Sequence, residues 1–308
     1  MPAEAAALPL AAPRRAMAGA SESVAAVLLL LPATLAFVML LLLPTLAAIG
    51  LAFTDYELGA PTLRFIGLDN FAELLADRTF AISLRNTLAY VGFVAPLSIG
   101  FGLGLALLIE GGLRGRATFR AVFFLPVVSL LVAMAAAWQY LLHPSIGPLN
   151  QALRAIGIAG PSWLASSDTV LIALGAIGVW ENAGFNMVLF LAGLTAIPRE
   201  LYAAAEIDGA RSTWSRFWTV TWPLLGPTTV FVVTITMIRS VRVFDTVAVL
   251  TQGGPNKASE VLLYTMYTEG FTFFRLGYSA AITLVFLVIV LALMLLQTRL
   301  LDRKVHYS

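Results

Sequence analysis

The chain has 308 residues, of which 59% are apolar and only 12% charged, about half the ~25% charge usual in a soluble domain. With a mean hydropathy of +0.88 and a net charge of +2, it has too few charges to cover a water-facing surface. That excludes an ordinary soluble enzyme, a disordered chain and a strongly basic nucleic-acid binder. Cysteine is absent, so disulfides, thiolate chemistry and Cys-ligated metals are excluded as well.

What remains is an all-α, polytopic membrane protein. A crossing helix needs about 20 mostly apolar residues. Six stretches qualify: 24–53, 87–109, 121–142, 169–194, 224–243 and 278–300. Residues 1–23 read as a cytoplasmic N-terminal tail without regular structure, and 24–308 as one six-helix domain. The first apolar run is too long for a cleaved signal peptide and reads as a retained anchor. The second span carries Gly92, Gly100, Gly102 and Gly104, which suits close helix packing or, alternatively, gating.

The sidedness follows from the basic residues. With both termini in the cytoplasm, inner segments hold eleven of the nineteen, including Arg114, Arg116, Arg199 and Arg216, and outer segments hold six. The positive-inside rule favours that arrangement. In the first outer loop a short amphipathic helix is expected over 68–76, with Asp69 or Asn70 as its N-cap. His143, beside Pro144, reads as a boundary residue.

The cytoplasmic loop over 198–223 carries the most information. Pro198 suits a first helical position, Glu200 the first turn, and Ala203, Ala204 and Ala205 form helix with almost no bulk. Gly209 permits the positive φ that ends such a helix. A second helix is expected from about Ser212 to Trp222, before Pro223 turns the chain into the membrane. The slim first helix could enter a groove on another protein. It could equally lie on the bilayer surface.

At this point the chain resembles the permeases of binding-protein-dependent ABC importers, of the sugar and glycerol-3-phosphate type similar to the maltose permease. The resemblance rests on Phe65-Ile-Gly-Leu-Asp-Asn-Phe71, Leu191-Ala-Gly-Leu-Thr-Ala-Ile-Pro198, Ile207-Asp-Gly-Ala210, Phe217, Pro223-Leu-Leu225, Leu250-Thr-Gln-Gly-Gly-Pro255 and Arg303-Lys-Val-His-Tyr307, all in the family's order. It implies the type I importer permease fold in a bacterial inner membrane. It also implies that Glu200, Ala203, Ala204, Ala205, Glu206, Asp208, Gly209, Ala210 and Phe217 couple the chain to an ATPase. Two features depart from the family pattern. Ala203 replaces the glutamate that opens the motif, and the spacing to Phe217 is one residue longer.

The chain has no motor of its own. A Walker-type phosphate loop ends in Gly-Lys-Ser/Thr, and the two lysines, Lys257 and Lys304, follow Asn256 and Arg303. No catalytic set and no metal-ligand cluster stands out. The resemblance therefore implies a non-enzymatic subunit that binds no cofactor. ATP and magnesium would sit on two separate ABC ATPase subunits, beside a homologous second permease, an extracytoplasmic solute-binding protein, a carbohydrate-like solute and the lipid bilayer.

Charges inside a membrane default to functional hypotheses. On the fourth span Glu181 and Phe185, and Asn182 and Asn186, are four apart. On the fifth, Thr236, Arg239 and Ser240 fall at i, i+3 and i+4. Each set makes one polar face of the kind a sugar needs, with hydrogen-bond partners for hydroxyls and an aromatic wall. Substrate-facing positions in the maltose-permease resemblance coincide with Glu181, Asn182, Phe185, Thr236, Arg239 and Ser240. Glu181 and Arg239 could instead be a structural ion pair. The rival functional reading is a secondary transporter with Glu181 as proton carrier.

Overall fold

The computed structural model describes residues 18–112, 115–129 and 131–301. The N-terminal arginines, Arg114 and the 303–307 segment lie outside the described residues. By its internal contacts the chain divides into residues 1–50 and 51–308. In the first unit the helix begins at Ala18, inside the expected tail, and runs as α1 (Ala18–Phe37), a π-turn over Val38–Leu42 and α2 (Leu43–Leu51). None of its described side chains up to Gly50 is buried, as an apolar anchor facing lipid requires.

In the second unit the described regular elements are helices joined by loops. Its helices are α3 (Asp69–Ala76), α4 (Arg78–Glu110), α5 (Arg116–Val128), α6 (Leu131–Leu141), α7 (Pro148–Ala155), α8 (Val170–Thr195) and α9 (Arg199–Ile207). They continue with α10 (Thr213–Arg216), α11 (Trp222–Leu224), α12 (Gly226–Val241), α13 (Asp245–Leu250), α14 (Leu262–Tyr267) and α15 (Leu276–Leu301). Among the described residues the only extended pairing is one bridge between Thr54 and Phe65. Among the described residues four helices are long and apolar enough to cross a membrane, and counting each of two bent pairs as one span brings the number to six. The third span is such a pair, Arg116–Val128 and Val132–Leu141, at 107°. The fifth is the other, with Thr213–Leu224 meeting the helices from Gly226 onward at 69°.

The core lies between α4 and α8. Met187, Phe190, Leu191 and Leu194 of α8 bury against Ala106 and Ile109 of α4, with Leu225 and Val232 completing the cluster. Burying each such side chain contributes about 1.5–3 kcal/mol where water is the reference. Between lipid-facing helices the tight fit itself carries more of the energy. Of the four glycines noted in the second span, only Gly102 is packed. A Cβ there would stand 2.5 Å from the Asn186 Cβ, while Gly92, Gly100 and Gly104 face open space. Gly184 on α8 is tighter still, since a Cβ would meet the Phe123 carbonyl oxygen of α5 at 1.9 Å.

Three local expectations change. The second span starts at Arg78 rather than Thr87, because the Asp77 carboxylate caps the Thr79 N–H at 2.7 Å. The cap of α3 is Leu68, with no side-chain bond. Asn70 instead donates its amide to the carbonyls of Ala52 and Thr54 at 2.9 and 2.8 Å and ties α3 to the chain that follows α2. Pro198 stands just before α9, in extended backbone, rather than in its first turn.

Candidate functional site

Two places gather the residues singled out above. The first lies midway along α8, where it faces α12. The Arg239 guanidinium donates to Glu181 Oε1 at 3.2 Å and to Asn182 Oδ1 at 2.8 Å, and lies 4.7 Å from the centre of the Phe185 ring. Glu181 and Phe185 lie one turn apart on α8, so with Asn182 they converge on the single α12 side chain Arg239. Both charged side chains keep some exposure, 33% for Arg239 and 26% for Glu181, because they line a cavity of about 410 Å³. Its other walls are Tyr90, Ser129, Arg242, Val243, Phe244, Asp245 and Thr246.

The remaining predicted pathway residues lie deeper between the helices. Asn186 is fully buried, accepts a hydrogen bond from Thr236 Oγ1 at 2.8 Å and faces Ser98 Oγ at 3.4 Å. Thr236 is equally buried, and the Ser240 hydroxyl is buried without a partner among the described residues. The structure therefore separates one predicted face into a cavity wall (Glu181, Asn182, Arg239), an aromatic support (Phe185) and a helix-to-helix clasp (Asn186, Thr236). Tyr90 and Asp245 escaped the sequence reading. Tyr90 comes from a third helix, α4, whose approach to α8 no spacing within one span reveals, and Asp245 falls just past the fifth apolar run. Trp138 packs edge-on to Trp180 with ring centres 5.2 Å apart and is not part of the cavity lining.

The second place is the loop over 198–223. α9 buries none of its residues, so Glu200, Ala203, Ala204 and Glu206 are open to solvent, as are Asp208 and Gly209 beyond its end, while Ala205 and Phe217 are half-buried and Ala210 is buried. Gly209 has φ +98°, a conformation that side chains other than glycine's adopt at a cost. The Ser212 hydroxyl caps the next turn by accepting the Ser215 N–H at 3.0 Å. A π-turn over Phe217–Thr221 then leads to α11. Tyr202 Oη and Thr221 Oγ1, 3.1 Å apart, pin α9 to this segment. A groove of about 610 Å³ lies between them, lined by Ala204, Asp208, Gly209, Ser215 and Pro223 among others.

The chain is similar to known proteins. The family described as "Binding-protein-dependent transport system inner membrane component" matches residues 98–307. The sn-glycerol-3-phosphate transport system permease protein UgpA of Agrobacterium fabrum is 36% identical over 247 residues, covering 79% of this chain and 83% of that protein. The probable ABC transporter permease protein YurN of Bacillus subtilis is 34% identical over 276 residues, covering 88% and 94%. Among solved structures, a chain of a bacterial ABC transporter involved in import of the acidic polysaccharide alginate superposes with a TM-score of 0.82. It shares 24% identity and covers 94% of this chain and 99% of that one.

Proposed function

The chain belongs to the binding-protein-dependent transport system inner membrane component family, and from that premise we propose how it works. It is a multi-pass permease of an ABC importer with the all-α importer fold. It pairs with a homologous second permease. Two cytoplasmic ABC ATPase subunits carry the ATP and magnesium, and an extracytoplasmic binding protein delivers the solute. Both termini face the cytoplasm, the orientation that puts most basic residues inside. The exposed loop over 198–223 then meets the ATPase, with Glu200, Ala203, Ala204, Ala205, Glu206, Asp208, Gly209, Ala210 and Phe217 at the contact.

The solute belongs to the carbohydrate class: a sugar, a polyol or a glycerol-phosphate-like molecule. The observation that carries this is the cavity wall, where a guanidinium, a carboxylate and an amide converge, the guanidinium backed by an aromatic ring. Two lining carboxylates, Glu181 and Asp245, offset two lining guanidiniums, Arg239 and Arg242. A cavity so balanced favours a neutral polyhydroxylated solute over a phosphate, which would recruit unopposed donors. The proton-carrier alternative finds no support, since the family is binding-protein dependent and Glu181 is engaged by Arg239.

The test is uptake into proteoliposomes holding the assembled transporter and its binding protein. Exchanging the pair, Glu181→Arg with Arg239→Glu, keeps opposite charges in contact but moves each to the other helix. Stability should survive and uptake should fall at least about tenfold, the cost of roughly one lost charge-assisted contact. Full uptake by the exchanged pair would reduce it to a structural lock.

A further inference from the structure

A second groove, of about 910 Å³, opens where α4 and α8 end and α5 and α10 begin. Of the residues that line it, the transport reading assigns a contact only to Phe217. Three guanidiniums line it, those of Arg116, Arg199 and Arg216, against one carboxylate, Glu110. Arg116 Nη2 donates to the Glu110 backbone carbonyl at 3.0 Å, which uses one of the five donors a guanidinium has. Arg216 approaches Glu206 only to 3.8 Å, and that glutamate is 60% exposed, so water largely screens the pair. The groove is therefore positive.

It is also amphipathic. Trp214 and Phe217 form part of its wall. They begin an aromatic ladder that continues through Trp218 to Trp222, with neighbouring ring centres 5.1 to 6.2 Å apart. Trp214, Trp218 and Trp222 are 70%, 47% and 40% exposed. Exposed tryptophans at the ends of membrane-spanning helices mark the headgroup level of a bilayer. A basic recess between helices at that depth suits an anionic lipid headgroup.

We propose that this groove binds an anionic phospholipid, its phosphodiester met by Arg116, Arg199 and Arg216 and its glycerol and upper acyl chain by the aromatic wall. The bound lipid would brace the base of α9, which carries Arg199, against the bundle. The proposed orientation enters only in assigning the lipid to the inner leaflet. Binding is read without uptake, so failure of this inference and failure of the transport reading are distinguishable.

The experiment is native mass spectrometry of the assembled transporter released from bilayers of equal parts phosphatidylglycerol and phosphatidylcholine. Wild type should retain phosphatidylglycerol in preference to phosphatidylcholine. Each of Arg116→Gln, Arg199→Gln and Arg216→Gln should lower that retention about fivefold, equivalent to about 1 kcal/mol per arginine. The triple Arg→Lys variant, which keeps the charge, should stay above the triple Gln variant. Equal retention of the two lipids by wild type overturns the proposal even if no variant assembles. So does unchanged retention in the triple Gln variant. Displacement of the lipid by millimolar inorganic phosphate would show a free-anion site instead. Absence of lipid from the intact transporter overturns the proposal as well.

Discussion

In the polar cluster on α8 and α12, the charged and amide groups find their partners within the chain. Arg239 is held by Glu181, Asn182 and the Phe185 face, and Asn186 by Thr236 and Ser98. In the loop over 198–223 the reverse holds. α9 buries nothing, Ile207 is 88% exposed and Trp214 is 70% exposed. An apolar residue held in water gains nothing by staying there. The first region is complete in one chain, and the second is shaped for surfaces that other molecules supply. Stability should therefore report on the cluster and coupling on the loop.

The largest expected effect comes from breaking the cluster on one side. Glu181→Ala leaves Arg239 with an amide and a ring but no counter-charge. Removing one partner of a fully buried pair costs about 3–5 kcal/mol. Here both side chains keep part of their hydration, so about 2 kcal/mol is expected. The purified transporter should unfold at a lower temperature and lose uptake together. An unchanged melting temperature would mean that water, not Glu181, neutralises Arg239, and the claim of self-completion would be lost.

The opposite outcome is expected at Gly209. Its φ of +98° becomes strained on Gly209→Val, at a cost of about 1–3 kcal/mol. A Cβ at Gly209 meets no neighbour within 4 Å, so the strain stays in the loop and can be released by local change. The melting temperature should hold while solute-stimulated ATP hydrolysis and uptake fall several-fold. A matching fall in melting temperature would show that the loop belongs to the bundle's core and would erase the contrast between the two regions.

The same contrast explains what the sequence made legible. Long apolar runs identify spans whatever surrounds them, so all six were recoverable, and the loop's Pro, Ala and Gly placement encodes a local conformation. The 69° bend is different, since Pro223 marks a turn there but leaves its angle to packing. The register of α4 was hidden because its first turns are polar on one side and depend on Asp77 as a cap. Within the site, helical spacing brought out Glu181, Asn182, Phe185, Thr236 and Arg239. It could not separate the Asn186–Thr236 clasp from the cavity wall, because that depends on the rotation of α12 against α8. Nor could it find Tyr90, which comes from a third helix.

The smallest effect tests self-completion in a third place, the region after α13. Glu260 is only 7% exposed, accepts the Thr265 hydroxyl at 2.9 Å and leaves no room for a Cβ on Gly253. Burial pushes its carboxyl above the ordinary 4.5, although the Thr265 bond and Lys257 pull it back. Burial likewise raises Glu269, opposed by Arg275. A carboxyl raised in the folded state binds its proton more tightly there. Its contribution is fully present below 4.5 and is lost as pH rises through the folded value. Asp55, held low by its bonds to Arg64, acts in the opposite sense, but only as pH falls below its ordinary 3.8. Between pH 4.5 and 8 the melting temperature should therefore drift downward, by on the order of 1 °C for a chain this long. Glu260→Gln, which keeps the shape and removes the titration, should flatten part of that slope. A slope of opposite sign would mean that these acids are paired rather than desolvated, and that this region, like the loop, is completed by something outside the chain.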